Sequence, residues 1–257
     1  MQTLQFSQSD PTPQYLIARI IIGTLKETSR DGAINTPTIA DHAKTTKEQV
    51  ERILCRLLKL ETPSNAQLTV PARFKLAFEA VKLGALQQVA RALTWQEFEA
   101  FAEECLQSVG FETRKGVIVR DDSRRWQIDV IATKGSMVLA VDCKHWESPA
   151  YDSKLTKAAE HQKSALQALF HQMTAKEEVG KAGILGLPVI LTLFEPRSRL
   201  AKGAVAVSVE QFADFLEGTS PYSSDLPFIS SQDVTKRSTI HIQSRRDEKL
   251  YQITNEH

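Results

Sequence analysis

Apolar residues recur along the chain at two periods, and the change from one to the other divides it. From Gln14 to about Thr28, residues Leu16, Ile17, Ile20, Ile21 and Leu25 fall at helical spacing. A second helix is predicted to start at Thr36-Pro37, with Thr36 as its cap and proline in the first turn. A third runs from Lys47 to about Leu60, where Thr46 and Gln49 suit a capping box and Val50, Ile53, Leu54, Leu57 and Leu58 make one stripe. The segment Pro71 to Gly84 reads as another helix, carrying Arg73, Lys75 and Lys82. Beyond Leu93 the pattern changes. A helix opens at Thr94, with Glu97 as capping-box partner and Phe98, Ala102, Cys105 and Val109 on its inner face, and Gly110 ends it. Alternating strands follow near Thr113 to Val119, Trp126 to Thr133 and Met137 to Lys144. A long helix from about Asp152 to Lys176 then precedes an apolar strand, Leu187 to Phe194, and a strand at Ala204 to Val207. The last helix is expected to be capped by Ser208 and Gln211 and closed by Gly218.

These elements predict a loose leader over 1–13, a helical domain over 14–92, an α/β domain with a mixed sheet over 93–218 and a polar extension over 219–257. In the extension, Thr239 to Gln243 alternates like an edge strand. The second and third helices, joined by a short break, follow a helix-turn-helix plan, and with Thr62 to Val70 as a wing the region resembles a winged-helix domain. Arg52 and Arg56 on the outer face of the third helix would then meet DNA. The same tri-helical core also serves protein contacts.

The two central strands hold the candidate chemistry. If Gly135-Ser136 is the turn, Lys134 pairs with Met137, and each residue i opposes residue 271 minus i. Asp129 then opposes Asp142, and Lys144 joins their face, while Ile128, Val130, Leu139, Val141 and Cys143 take the other. Carboxylates at cross-strand distance, roughly 5 Å between Cβ atoms, repel unless a cation lies between them, and a hard divalent ion suits that demand. A solvated surface pair of Asp142 with a lysine or arginine is the simpler alternative.

Composition narrows the classes. The 257 residues are 42% hydrophobic, enough for a real core, and the net charge of +1 leaves any DNA affinity to local patches. Cys55, Cys105 and Cys143 are far apart on apolar faces, a pattern of reduced thiols without a zinc or disulfide framework. No targeting segment or bilayer-length apolar run is apparent, so a cytoplasmic protein without membrane association is expected. No glycine-rich phosphate loop or nucleophile elbow is present, so no nucleotide cofactor is expected.

The run Leu93-Thr-Trp-Gln-Glu-Phe-Glu99, the helix ending at Gly110-Phe111, the strand with Ile128-Asp129-Val130 and the strand Val141-Asp-Cys-Lys144 together resemble the PD-(D/E)xK nuclease superfamily, in particular its Mrr-type branch of restriction-endonuclease-like proteins. The chain departs in carrying Ile-Asp for Pro-Asp, and Asp142 where the Mrr branch often has glutamine. The resemblance implies a restriction-endonuclease-like core and a Mg²⁺-dependent DNA endonuclease, with Mn²⁺ a possible substitute. It makes Asp129 and Asp142 metal-holding carboxylates, with the Cys143 carbonyl a further ligand, and gives Lys144 the task of orienting or deprotonating the attacking water. Glu99 matches the family's helical acid and by the resemblance would join the metal-holding residues, with Glu103 a fallback. Gln162, on an apolar helix stripe, would reach the metal-bound water or phosphate, or else is a satisfied buried amide. A homodimer would supply two cuts.

Arg120, Arg124 and Arg125 precede the Asp129 strand and suit phosphate contacts, unless Asp121 and Asp122 pair with them. Trp126 and Trp146 could stack on a base or pack in the core. His145 and His161 lie near the site as bystanders. Two alternatives to a restriction or repair endonuclease are a DNA-binding regulator on a nuclease-like scaffold and a structure-specific repair nuclease or junction resolvase.

Overall fold

The computed structural model describes residues 12–64, 66–120, 124–146, 152–175 and 183–234. The expected strand at Thr239 to Gln243 and the aspartates Asp121 and Asp122 lie outside them. The chain forms two compact units, Met1–Glu97 and Phe98–His257.

The first unit is helical. Helices α1 (Gln14–Glu27), α2 (Thr36–Ala43) and α3 (Lys47–Leu58) bury the predicted stripes, with Ile20, Ile21, Leu25, Ile39, Val50, Ile53 and Leu54 at or near zero exposure. The α2 cap is Asn35, not Thr36: its Oδ1 accepts from the Thr38 N–H, which leaves Thr36 and Pro37 as the first two helical residues. At α3 the Gln49 N–H donates to Thr46 Oγ1, but the Gln49 amide turns to Thr12 Oγ1, so only half of the capping box forms. Between α3 and α4 (Val70–Lys82) no hairpin appears among the described residues; a single antiparallel bridge joins Ala33 to Gln67. Leu86, Val89 and Ala90 carry a short further helix, α5 (Leu86–Ala92), that three apolar positions were too few to announce. Arg73 of α4 and Glu97 are both buried and form two hydrogen bonds, 2.6 Å from Nε to Oε1 and 2.9 Å from Nη2 to Oε2. Arg73 Nη1 also donates to the Leu25 carbonyl at 2.7 Å and to Thr28 Oγ1. Glu97 accepts from the Thr94 N–H at 2.8 Å, the expected capping role, so one carboxylate serves both a cap and an ion pair.

Helix α6 (Trp95–Ser108) continues into the second unit, where it precedes a seven-stranded mixed sheet. The order is β1 (Glu112–Arg120), β2 (Arg125–Lys134), β3 (Met137–Lys144), β4 (Leu185–Thr192), β6 (Ala204–Ser208) and β5 (Leu200–Ala201), with β7 (Ile229–Ser230) pairing β4. Only β3–β4 and β4–β6 are parallel. Helix α7 (Asp152–Ala175) covers one face, packing Ala165, Leu166, Leu169 and Phe170 on Val119, Trp126, Ile128, Ile131, Val138 and Ala140. Its approach to β4 depends on Gly186, where a Cβ would lie 2.5 Å from the Phe170 ring. Toward its N-terminus Leu155, Ala158 and Ala159 pack on Ile190, Ala204 and Ala206, with Trp146 at the rim. The last helix, α8 (Phe212–Gly218), starts at Gln211 without a side-chain cap; the Gln211 amide instead donates to Glu195. The three cysteines are free thiols, half-buried rather than fully enclosed.

Candidate active site

The β2–β3 hairpin keeps the register read from the sequence. Lys134 pairs with Met137, and the ladder runs through Ile131↔Ala140 to Val130↔Val141. Asp129 and Asp142 are the next positions, and the Cys143 N–H donates to Asp129 Oδ2 at 2.8 Å across the strands.

Strict alternation fails at this point, and the failure shapes the site. On β1, Thr113 and Lys115 bond to Glu103 of α6, whereas Val117 and Val119 pack on the cluster under α7. In a regular strand these four residues would share one face. The change falls at Gly116, whose φ of 59° is left-handed. The β1–β2 pairing omits only Gly116 opposite Asp129. On β2, Ile128 before the break and Ile131 after it enter the same cluster. The expectation that Ile128 shares a face with Val130 is therefore corrected: both strands swap faces at Asp129, opposite the left-handed Gly116.

Asp142 is 5% exposed and sits one step beyond Val141 of the core. Lys144 Nζ lies 2.8 Å from both its oxygens. The hydrogen bond goes to Oδ1, and Oδ2 is buried with no hydrogen-bond partner among the described residues. Burial raises the Asp142 pKa against the lowering charge and hydrogen bond of Lys144. Burial also raises Asp129, helped by the Asp142 charge and opposed by the Cys143 N–H. A buried carboxyl beside a half-buried one is a costly pair to ionise without a cation.

Glu99 is half-buried on α6, and its pKa is raised to about 7 by burial first and then by Asp129, with a smaller contribution from Asp142. Its charge is thus felt by the pair. Among the described residues, however, no three His, Cys, Asp or Glu side chains converge as a metal-holding group. Glu103 is engaged elsewhere, 2.9 Å from both Lys115 Nζ and Thr113 Oγ1. Gln162 is fully buried on the α7 stripe, and neither its Nε2 nor its Oε1 has a hydrogen-bond partner among the described residues. It is not a satisfied amide. The Cys143 thiol is pushed well up by burial and then by Asp129, Asp142 and Glu99, so it stays protonated beside them.

Residues 90–185 match the model of a family described as restriction endonuclease, of the Mrr catalytic type. The matched stretch, which is under half of the chain, spans α6, the hairpin and α7, the elements that carry Glu99, Asp129, Asp142, Lys144 and Gln162. A protein of Archaeoglobus fulgidus named only as uncharacterized is 25% identical over 138 residues, 53% of this chain and all of its own. A solved structure of a protein of unknown function aligns at 21% identity and a TM-score of 0.29, over 47% of this chain and about half (54%) of its own. The likeness of residues 90–185 to that family suggests a nuclease, and no helix among the described residues is long and apolar enough to cross a membrane.

Sequence reasoning assigned neither Arg73 to Glu97 nor Gly116 to the site. The Arg73 partnership joins residues twenty-four positions apart, which no local pattern reveals. Gly116 is an isolated glycine within a strand pattern, the signal by which a bend could have been found. Arg124 and Trp126 are in contact, and Arg52 donates to Thr12 Oγ1 at 2.8 Å.

Proposed function

We propose that this protein is a Mg²⁺-dependent endonuclease that hydrolyses DNA phosphodiester bonds. The single observation that carries the reading is that buried Asp142 and half-buried Asp129 stand side by side with one lysine, Lys144, whose Nζ lies 2.8 Å from both Asp142 oxygens. The residues fit a hard cation. Both side-chain donors are carboxylates, and the small protein donor set suits Mg²⁺, which keeps several waters and is bound through one or two carboxylates plus phosphate. Asp129 and Asp142 would hold it, with the Cys143 carbonyl as a further donor. Bound there, the cation would screen the phosphate and lower the pKa of water.

The chain's own groups divide the remaining work. Lys144 orients the attacking water and offsets charge on the phosphate. Glu99 stands outside the ligating group and accepts or returns a proton through water, a role its pKa of about 7 suits near neutrality. Gln162 presents a fixed donor and acceptor to the bound water or phosphate, which would relieve its two orphaned atoms. Arg52 and Arg56 of α3 are the groups the helical unit would offer to DNA. A second copy of the chain would provide the second cut in a duplex.

Purified protein incubated with supercoiled plasmid in Mg²⁺, Mn²⁺ or EDTA, beside Asp142→Ala, tests this. Metal-dependent nicking or linearisation that the variant lacks is expected. Absence of cutting on unmodified, modified and branched DNA alike would overturn it in favour of a DNA-binding scaffold.

A further inference from the structure

Three side chains not used in the proposed chemistry form a column beside the acidic pair. The Arg124 guanidinium lies over the Trp126 ring, 3.3 Å from Cζ to the ring centroid. The Trp126 ring lies 5.1 Å from the His161 imidazole, tilted by 59°. Trp126 is 5% exposed and belongs to the cluster under α7, so its indole is not free to stack on a base; it can serve as a floor. Arg124 on that floor is exposed. His161 precedes Gln162 on α7, and Trp126 lies three residues before Asp129 on β2, which puts the column at the edge of the site. Burial first, then the Lys144 and Arg124 charges, lower the His161 pKa.

A second observation points to an anion. Arg120 opposes Arg125 directly in the β1–β2 ladder, and both are exposed. Like charges at that spacing repel, and a phosphate between or beside them relieves the cost. Beyond the Gly116 break, therefore, the end of the β1–β2 hairpin presents exposed guanidiniums.

We propose that Arg124, preset by Trp126 and braced by His161, is the phosphate grip of the site and holds a DNA phosphate neighbouring the one that Lys144 faces. Trp126 and His161 are positioning residues that act through it. Stacking fixes the guanidinium plane, so little freedom is lost when it meets a phosphate in bidentate fashion. The proposal rests on the reading of DNA as substrate, but not on cleavage.

The test is equilibrium binding of a fluorescent duplex to the full chain in EDTA over a salt series, with melting temperatures recorded for every variant. Arg124→Ala is expected to weaken binding and to reduce the slope of log K against log salt by about one, the signature of one lost phosphate contact. Arg124→Lys keeps most of the slope. His161→Ala weakens binding in the wild-type background and adds nothing to Arg124→Ala, because it acts through that residue. An unchanged slope in Arg124→Ala, or additive losses in the double variant, overturns the proposal. A protein that binds in this Arg124-dependent way yet never cuts would sink the nuclease reading alone. One that cuts, with an Arg124-independent slope, would sink the grip alone.

Discussion

Two buried charged clusters in this protein are built to opposite standards. Arg73 and Glu97 are each about as buried as Asp142, yet both carboxylate oxygens of Glu97 accept hydrogen bonds, and Arg73 also reaches the Leu25 carbonyl and Thr28. In the other cluster both amide atoms of Gln162 are buried without hydrogen-bond partners among the described residues, and two carboxyls share a site with one lysine, which lies 2.8 Å from both Asp142 oxygens. Burial would raise Glu97, but the Arg73 hydrogen bonds, the Thr94 N–H and the Arg73 charge hold it low, whereas Asp129, Asp142 and Glu99 are all raised. The first cluster is finished by the chain itself. The second leaves buried polar atoms unsatisfied among the described residues, a feature expected of a functional site.

The comparison is broken most severely by removing charge from each cluster in turn. Asp129→Asn or Lys144→Ala is expected to lower cleavage by at least about 10³-fold, the scale for loss of a group stabilising transition-state charge, with duplex binding largely intact. Arg73→Ala or Glu97→Ala should instead cost stability, about 3–5 kcal/mol for one partner of a buried pair, read by denaturant unfolding. If Arg73→Ala left stability intact, the contrast would fail.

Gln162→Leu sharpens it from the other side. With both amide atoms orphaned in an apolar stripe, leucine should raise stability by about 1–2 kcal/mol while lowering kcat. Stability gained without loss of kcat would remove Gln162 from the site. Gly116→Ala, where a Cβ has open space but φ is 59°, isolates backbone strain. It should cost about 1–2 kcal/mol and reduce cleavage further, because Asp129 depends on the pleat break opposite it.

The smallest effect is in pH. Glu97, lowered on folding, contributes stability that is present above the unfolded carboxylate range and is lost as pH falls through its folded value. Glu99, raised from 4.5 to about 7, behaves oppositely: the protonated form is favoured by folding, and stability declines as pH rises from about 4.5 to about 7. Glu99→Gln should flatten that decline in EDTA, and Glu97→Gln should weaken the loss on acidification below the unfolded carboxylate range; melting curves from about pH 2 to about pH 8 separate the two.

The hairpin register was legible because a tight turn and period-two alternation leave one counting frame, and it held from Lys134↔Met137 to Val130↔Val141. The helices α1, α3, α6 and α7 were legible for the same reason, since long apolar stripes survive an error of a residue at either end. What was hidden depended on context. The face swap at Asp129 needs Gly116 on another strand, and the partner of Glu97 comes from a different helix. The wing expected at Thr62 to Val70 rested on topology, which short polar segments do not encode. In the site, Asp129, Asp142 and Lys144 could be placed from counting alone; the frustration of Gln162 and the rise of Glu99 could not, because both arise from neighbours brought by folding.

The measurement that tests the central claim most directly is the melting temperature of the full chain against Mg²⁺ concentration at pH 7.5, for wild type and Asp142→Asn. A cation that completes the acidic pair stabilises the wild type by RT ln(1 + [Mg²⁺]/Kd), about 1.4 kcal/mol at ten times Kd, and the variant should lose that rise. Equal curves for the two proteins would mean that the acidic pair is not a cation site, and the distinction between the two clusters would not be a functional one.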